Sequence, residues 1–87
     1  MSTMWWVYLL ECSDGSYYAG VAVDVERRLA QHNAGRGAKY TRGRTPATLI
    51  ASQGPMDRSA ALRLEAKVKR QKRPEKPAML ARADHAG

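Results

Sequence analysis

Five polar side chains stand out by type and spacing: Tyr8, Tyr18, Arg28, His32 and Glu65. They sit on stretches that also carry an apolar face. Two phenols, a guanidinium, an imidazole and a carboxylate are parts suited to cutting a phosphodiester bond, where a proton must move and charge on phosphate must be met. Taken singly, each has a plainer structural explanation. Tyrosines are ordinary strand aromatics, and a histidine on an apolar face is ordinarily a satisfied core residue. An arginine at a core boundary needs an anionic partner or a route to water, so Arg28 could be half of a salt bridge to Glu65.

The elements that must position these groups can be read from pattern. Residues 4–11 (Met-Trp-Trp-Val-Tyr-Leu-Leu-Glu) are apolar and rich in β-formers, which predicts a central strand covered on both faces. Asp14-Gly15 is a hairpin signal, and residues 17–21 return as an antiparallel partner. Asp24 reads as the N-cap of a helix from Val25 to about Asn33, stopped by Gly35. Residues 34–46 form a basic, glycine-punctuated loop, and residues 47–52 read as a third strand. Gly54-Pro55 turns the chain, Asp57 or Ser59 caps a long helix to about Lys72, and Pro74 ends it. A short last helix is expected over residues 77–84. The order β-β-α-β-α-(α) predicts an α+β fold, a small three-stranded antiparallel sheet flanked by helices.

Helical periodicity separates residues that adjacency does not. At roughly 100° per residue, Val25, Leu29 and His32 share a stripe with Arg28 at its border. Glu26, Arg27, Ala30 and Gln31 point away. In the second helix Ala60, Ala61, Leu64 and Val68 form the apolar stripe, with Glu65 on its flank among Arg63, Lys67, Lys69 and Arg70. A lone glutamate in a basic stretch is usually half of an exposed ion pair. It also suits Mg²⁺, which takes one or two carboxylates and completes its shell with water and phosphate oxygens.

Length bounds the answer. The 87 residues leave room for one domain, with a core over about 4–73 and a C-terminal extension over 74–87. Its 44% hydrophobic and 26% charged content fits a folded chain. The longest apolar run, residues 5–10, is far short of the roughly 20 residues of a membrane span. No basic segment precedes an apolar run at the N-terminus, so no secretory signal is expected. Cys12 alone excludes an internal disulfide and fits a cytoplasmic location. Cys12, His32 and His85 are too scattered for structural zinc.

The net charge of +7 is unevenly spread. All 15 Lys and Arg lie at Arg27 or later, and four of the eight acidic residues precede it, giving −4 for residues 1–26 and +11 thereafter. That asymmetry predicts a polyanion-binding surface, nucleic acid before membrane. Its expected contacts are Arg36, Lys39, Arg42, Arg44 and Lys69, with Tyr40 able to stack on a base or meet a phosphate. Solvated helix faces are the alternative.

Together these positions resemble a GIY-YIG nuclease domain. Val7-Tyr8 stands where the family's first tripeptide ends, and Tyr18-Ala19-Gly20 matches the second. Residues 24–33 (Asp-Val-Glu-Arg-Arg-Leu-Ala-Gln-His-Asn) match the helix carrying the family's Arg, at Arg28, and its His or Tyr, at His32. The metal-binding Glu falls on Glu65. The stretch Gly37-Ala-Lys-Tyr-Thr-Arg-Gly43 is similar to the small bacterial single-domain subgroup of uncharacterised endonucleases. The chain departs from the family in Trp6-Val7-Tyr8 for Gly-Ile-Tyr, in Ala19, in Gly20-Val-Ala-Val23 where many members place Ser or Thr, and in lacking a late Asn.

The resemblance implies hydrolysis with one Mg²⁺ or Mn²⁺ on Glu65, charge stabilisation by Arg28, and deprotonation of water by Tyr18 or Tyr8 with His32 assisting. Free tyrosine has a pKa near 10, so a cation or metal must lower it, which Arg28 and the ion could do. The expected protein is a DNA endonuclease, acting in repair or on branched structures, without a membrane or obligate protein partner and monomeric or weakly dimeric. The alternatives are a nucleic-acid-binding module without useful turnover and an adaptor for an acidic protein.

Overall fold

The computed structural model describes residues 3–71 together with Pro77 and Leu80. Strand β1 (Trp5–Glu11) lies in the middle of a three-stranded antiparallel sheet, between β2 (Tyr17–Ala22) and β3 (Thr48–Met56). Helix α1 (Val25–Asn33) follows β2 and helix α2 (Arg58–Arg70) follows β3. A single 3-10 turn (Lys39–Thr41) interrupts the basic loop. This is the expected α+β order, β-β-α-β-α. The last helix expected over residues 77–84 lies outside the described residues apart from Pro77 and Leu80.

The apolar run of β1 is explained by two cores. Val7 and Leu9 pack with Ala61 and Val68 of α2, whereas Tyr8 and Leu10 pack with Val25 and Leu29 of α1. Alternation along a strand sends successive side chains to opposite faces. Tyr8 pairs with Gly20 and Leu10 with Tyr18, so both tyrosines face α1.

Local chemistry sets the boundaries. Gly15 takes a φ of 83° in the hairpin, and the Asp14 carboxylate accepts the Ser16 N–H at 3.0 Å. Asp24 caps α1 by accepting from the Arg27 N–H at 3.0 Å. Asp57, rather than Ser59, caps α2 through the Ala60 N–H at 2.7 Å. Such caps contribute about 1 kcal/mol each. Asn33, the last residue of α1, clamps Ala47 with both side-chain atoms, donating at 3.0 Å and accepting at 2.6 Å.

Three expectations need correction. Gly54-Pro55 does not turn the chain but lies inside β3, which runs four residues beyond Ser52. Proline is tolerated there because β3 is an edge strand, and the register slips between Trp5 and Val7. Gly54 is needed for space, since a Cβ would stand 2.7 Å from the Trp6 ring. Trp5 and Trp6, in a strand expected to be covered on both faces, are only half-buried, Trp5 lying under the Arg58 guanidinium at 5.5 Å. Gln31 is half-buried too, because it holds Arg28. Among the described residues no helix is long and apolar enough to cross a membrane.

Candidate active site

The site begins with a missing side chain. A Cβ on Gly20 would stand 2.5 Å from the Tyr8 hydroxyl oxygen, so the Tyr8 ring lies directly across Gly20. Only 1% of Tyr8 is exposed, and its hydroxyl is 2.9 Å from Nε2 of His32. His32 is fully buried, the one buried residue of α1. The basic loop closes over it because Gly37 has no side chain to collide with the imidazole. On the far side of the ring, Nδ1 is 2.7 Å from Oγ1 of Thr41, whose hydroxyl donates to the Ala38 carbonyl at 2.9 Å. Every buried side-chain nitrogen and oxygen among the described residues has a partner.

Arg28 is half-buried and Arg27 exposed, as periodicity predicts. Arg28 donates to Oε1 of Gln31 at 3.0 Å. It forms no ion pair with Glu65: among the described residues Arg44 pairs with Asp14, and Lys69 with Glu65. Arg28 also lines an open cleft of about 360 Å³ with Trp5, Val21, Val23, Arg27 and Gln31.

Burial dominates the electrostatics. It pushes the Tyr8 phenol up to about 12, with the Tyr18 and Glu65 charges adding to the rise and the Arg28 hydrogen bond and charge opposing it. The expectation that Arg28 depresses a tyrosine here is thus met in sign and outweighed in size. Burial, with the Arg28 charge behind it, holds His32 below the usual imidazole range. At neutral pH the Tyr8–His32 pair is uncharged.

Tyr18 reaches the same pocket by ring contacts, 6.4 Å from the Tyr8 centroid and 5.3 Å from that of His32. Outside it the Tyr40 ring stacks at 5.9 Å, and Arg44 lies 4.1 Å over Tyr40. Arg44 is also bound to Asp14 at 2.9 Å and to the Tyr40 carbonyl at 2.6 Å. The two loop residues expected to touch nucleic acid through ring and guanidinium are thus engaged with each other, while Arg36, Lys39 and Arg42 are exposed.

Glu65 lies on the half-buried flank of α2 with its side chain 18% exposed, 3.4 Å from Nζ of Lys69. No three His, Cys, Asp or Glu side chains among the described residues gather as a metal cage. An ion held by a lone carboxylate such as that of Glu65 would complete its shell with water and substrate oxygens, a donor set that suits Mg²⁺ or Mn²⁺.

The structure brings Tyr8, Tyr18, Arg28 and His32 together and places Glu65 where its charge reaches Tyr8. Sequence reasoning missed Thr41, Gln31 and Gly37. Gln31 follows Arg28 by three residues, the spacing of side-chain neighbours on a helix. Thr41 and Gly37 sit in a loop without periodicity, where no pattern marks them.

A sheet carrying paired tyrosines, followed by a helix carrying Arg and His, is the arrangement that the GIY-YIG resemblance implies. The GIY-YIG catalytic domain matches residues 4–78, and the chain belongs to that family, whose members are generally nucleases. Similar proteins include a UPF0213 protein of Halobacterium salinarum, 53% identical over 84% of this chain and 95% of its own. One from Streptococcus pneumoniae is 53% identical over 87% of this chain and 77% of its own. Two solution NMR structures share the fold. The UPF0213 protein of Bacillus halodurans has a TM-score of 0.54 at 45% identity, covering 87% of this chain and 81% of that one. A protein of E. faecalis has a TM-score of 0.59 at 39% identity, covering 90% and 85%.

Proposed function

We propose that this protein is a divalent-metal-dependent DNA endonuclease whose single domain spans residues 1–87. The observation that carries the reading is Arg28: half-buried, without a carboxylate partner among the described residues, lining an open cleft and within hydrogen-bonding reach of Tyr8. An arginine so placed is suited to meet a phosphate. Glu65 would hold one Mg²⁺ or Mn²⁺, which when bound polarises the phosphate and neutralises the leaving oxygen.

The chain's own groups do the rest. Tyr8 takes a proton from the attacking water as its own proton passes to the imidazole nitrogen 2.9 Å away. Arg28 meets charge developing on the phosphoryl oxygens. Tyr18 packs the ring of His32 in place. Arg36, Lys39, Arg42 and Lys69 follow the phosphate chain, giving affinity with little sequence preference. Repair intermediates and branched DNA are the substrates such shape-directed binding suits, in the cytoplasm, by a monomer or weak dimer.

The test is cleavage of supercoiled and branched DNA with Mg²⁺, Mn²⁺ or EDTA. Glu65→Gln should lose cutting by about 100-fold or more while still binding DNA, the scale of removing one transition-state contact. Cutting that persists in EDTA or in Glu65→Gln would reject this reading. A binding module without turnover is the second reading, favoured by the near-complete burial of Tyr8. DNA bound and released by salt, with no cutting on any substrate, would select it.

A further inference from the structure

Thr41 is fully buried on a loop whose neighbouring side chains are exposed. A threonine hydroxyl has one proton to give and two lone pairs to offer. Oγ1 lies 2.9 Å from the Ala38 carbonyl, which can only accept, and the proposed chain of donors has the Thr41 proton there. The 2.7 Å contact with Nδ1 of His32 is then a hydrogen bond only if Nδ1 carries the proton and Oγ1 accepts it. A neutral imidazole protonated at Nδ1 presents a lone pair at Nε2. That nitrogen faces Tyr8, whose hydroxyl must therefore donate.

We propose that Thr41 is a positioning residue that fixes His32 as its Nδ1–H tautomer, holding Nε2 open to receive the Tyr8 proton. Its catalytic meaning rests on the nuclease reading above. The chain of donors runs one way: Tyr8 O–H to Nε2, Nδ1–H to Thr41, Thr41 O–H to the Ala38 carbonyl. The other tautomer would need the Thr41 hydroxyl to turn away from the Ala38 carbonyl and donate to Nδ1. When Tyr8 passes its proton on, its O–H bond breaks, an Nε2–H bond forms, and the imidazolium keeps its Nδ1–H on Thr41.

The rest of the loop serves this contact. The Arg44 N–H bonds the Thr41 carbonyl at 3.0 Å, and the Arg44 carbonyl accepts from the Ser13 N–H at 2.8 Å. The Arg44 guanidinium is tied to Asp14 in the same hairpin turn. The turn between β1 and β2 thus braces the segment that carries Thr41. Gly37 lets that segment lie against the imidazole.

The experiment is ¹⁵N NMR of the histidine rings in the full chain, without metal or DNA, at neutral pH. The protein has two histidines, and His85 serves as the second, distinguishable signal. Wild type should show His32 protonated at Nδ1 and unprotonated at Nε2. Thr41→Ser should keep that pattern, and Thr41→Val should lose it through a shift to the Nε2–H form or a mixture. In cleavage assays Thr41→Val should lower kcat by about 10-fold or more with little change in KM, and Thr41→Ser should restore it.

A wild-type His32 with its proton on Nε2 would overturn the proposal even if the valine variant does not fold. So would a folded Thr41→Val with an unchanged tautomer. Absence of cleavage in wild type would defeat the nuclease reading alone, because the tautomer is read without substrate.

Discussion

The α2 side of the sheet and its α1 side share one strand but not one chemistry. Facing α2, the buried cluster is aliphatic: Val7, Leu9, Ala19, Ala51, Ala61, Val68 and Leu80. Facing α1 are Tyr8 and His32, together with Thr41 behind the imidazole and Ser52 opposite Tyr8. Tyr8 and Leu9 are chain neighbours, and each is 1% exposed or less. One face gains stability from removing apolar area from water. The other holds polar groups that must all be paired, a costlier arrangement unless the groups have work to do.

Changes to the two faces should therefore separate stability from activity. The largest effect on folding is expected from Leu9→Ala, which deletes a fully buried side chain from the aliphatic face. It should cost about 2–5 kcal/mol in denaturant melts, while cleavage by the remaining folded protein stays near wild type. Equal loss of both would erase the distinction between the faces. Gly20→Ala adds a methyl where the Tyr8 hydroxyl stands. Overpacking of this kind costs about 1–3 kcal/mol. Here it should also displace the hydroxyl from His32 and lower the cleavage rate more than the melting shift explains.

The smallest effect is a pH dependence. Burial holds the native His32 below its ordinary value near 6.5. Below that value the unfolded chain binds a proton that native His32 refuses, so its contribution to stability is present above pH 6.5 and lost as pH falls. For Tyr8, raised to about 12, the sign is opposite: its contribution is present below pH 10 and lost as pH rises through about 12. The aliphatic cluster holds no titratable group. Melting temperature should therefore fall from pH 7 to pH 5, and a flat profile would mean that His32 charges in place without penalty.

Much of this division is legible in the sequence, for reasons particular to each element. The caps Asp24 and Asp57 and the alternation in β1 act locally, so they survive folding unchanged. The contrast between Arg27 and Arg28 follows from helical geometry alone. Gly54-Pro55 misleads because its local turn signal is overruled by pairing with β1, a contact distant in the chain. Thr41 carries no signal in the sequence and Arg44 reads there as a nucleic-acid contact, because their tasks lie across the fold, on His32 and on Asp14, which is 30 residues from Arg44 in the chain. Loop residues without period carry no signal of what they will touch.

The central claim is that Tyr8, through His32, is the group that moves the proton on the polar face. Its most direct test is the single-turnover cleavage rate of Tyr8→Phe against Tyr18→Phe, at saturating protein and metal. Tyr8→Phe should lose about 100-fold or more, the contribution of a positioned acid–base group, and Tyr18→Phe should lose far less. A Tyr8→Phe that cuts at the wild-type rate, or a Tyr18→Phe that is the more impaired, would contradict the account.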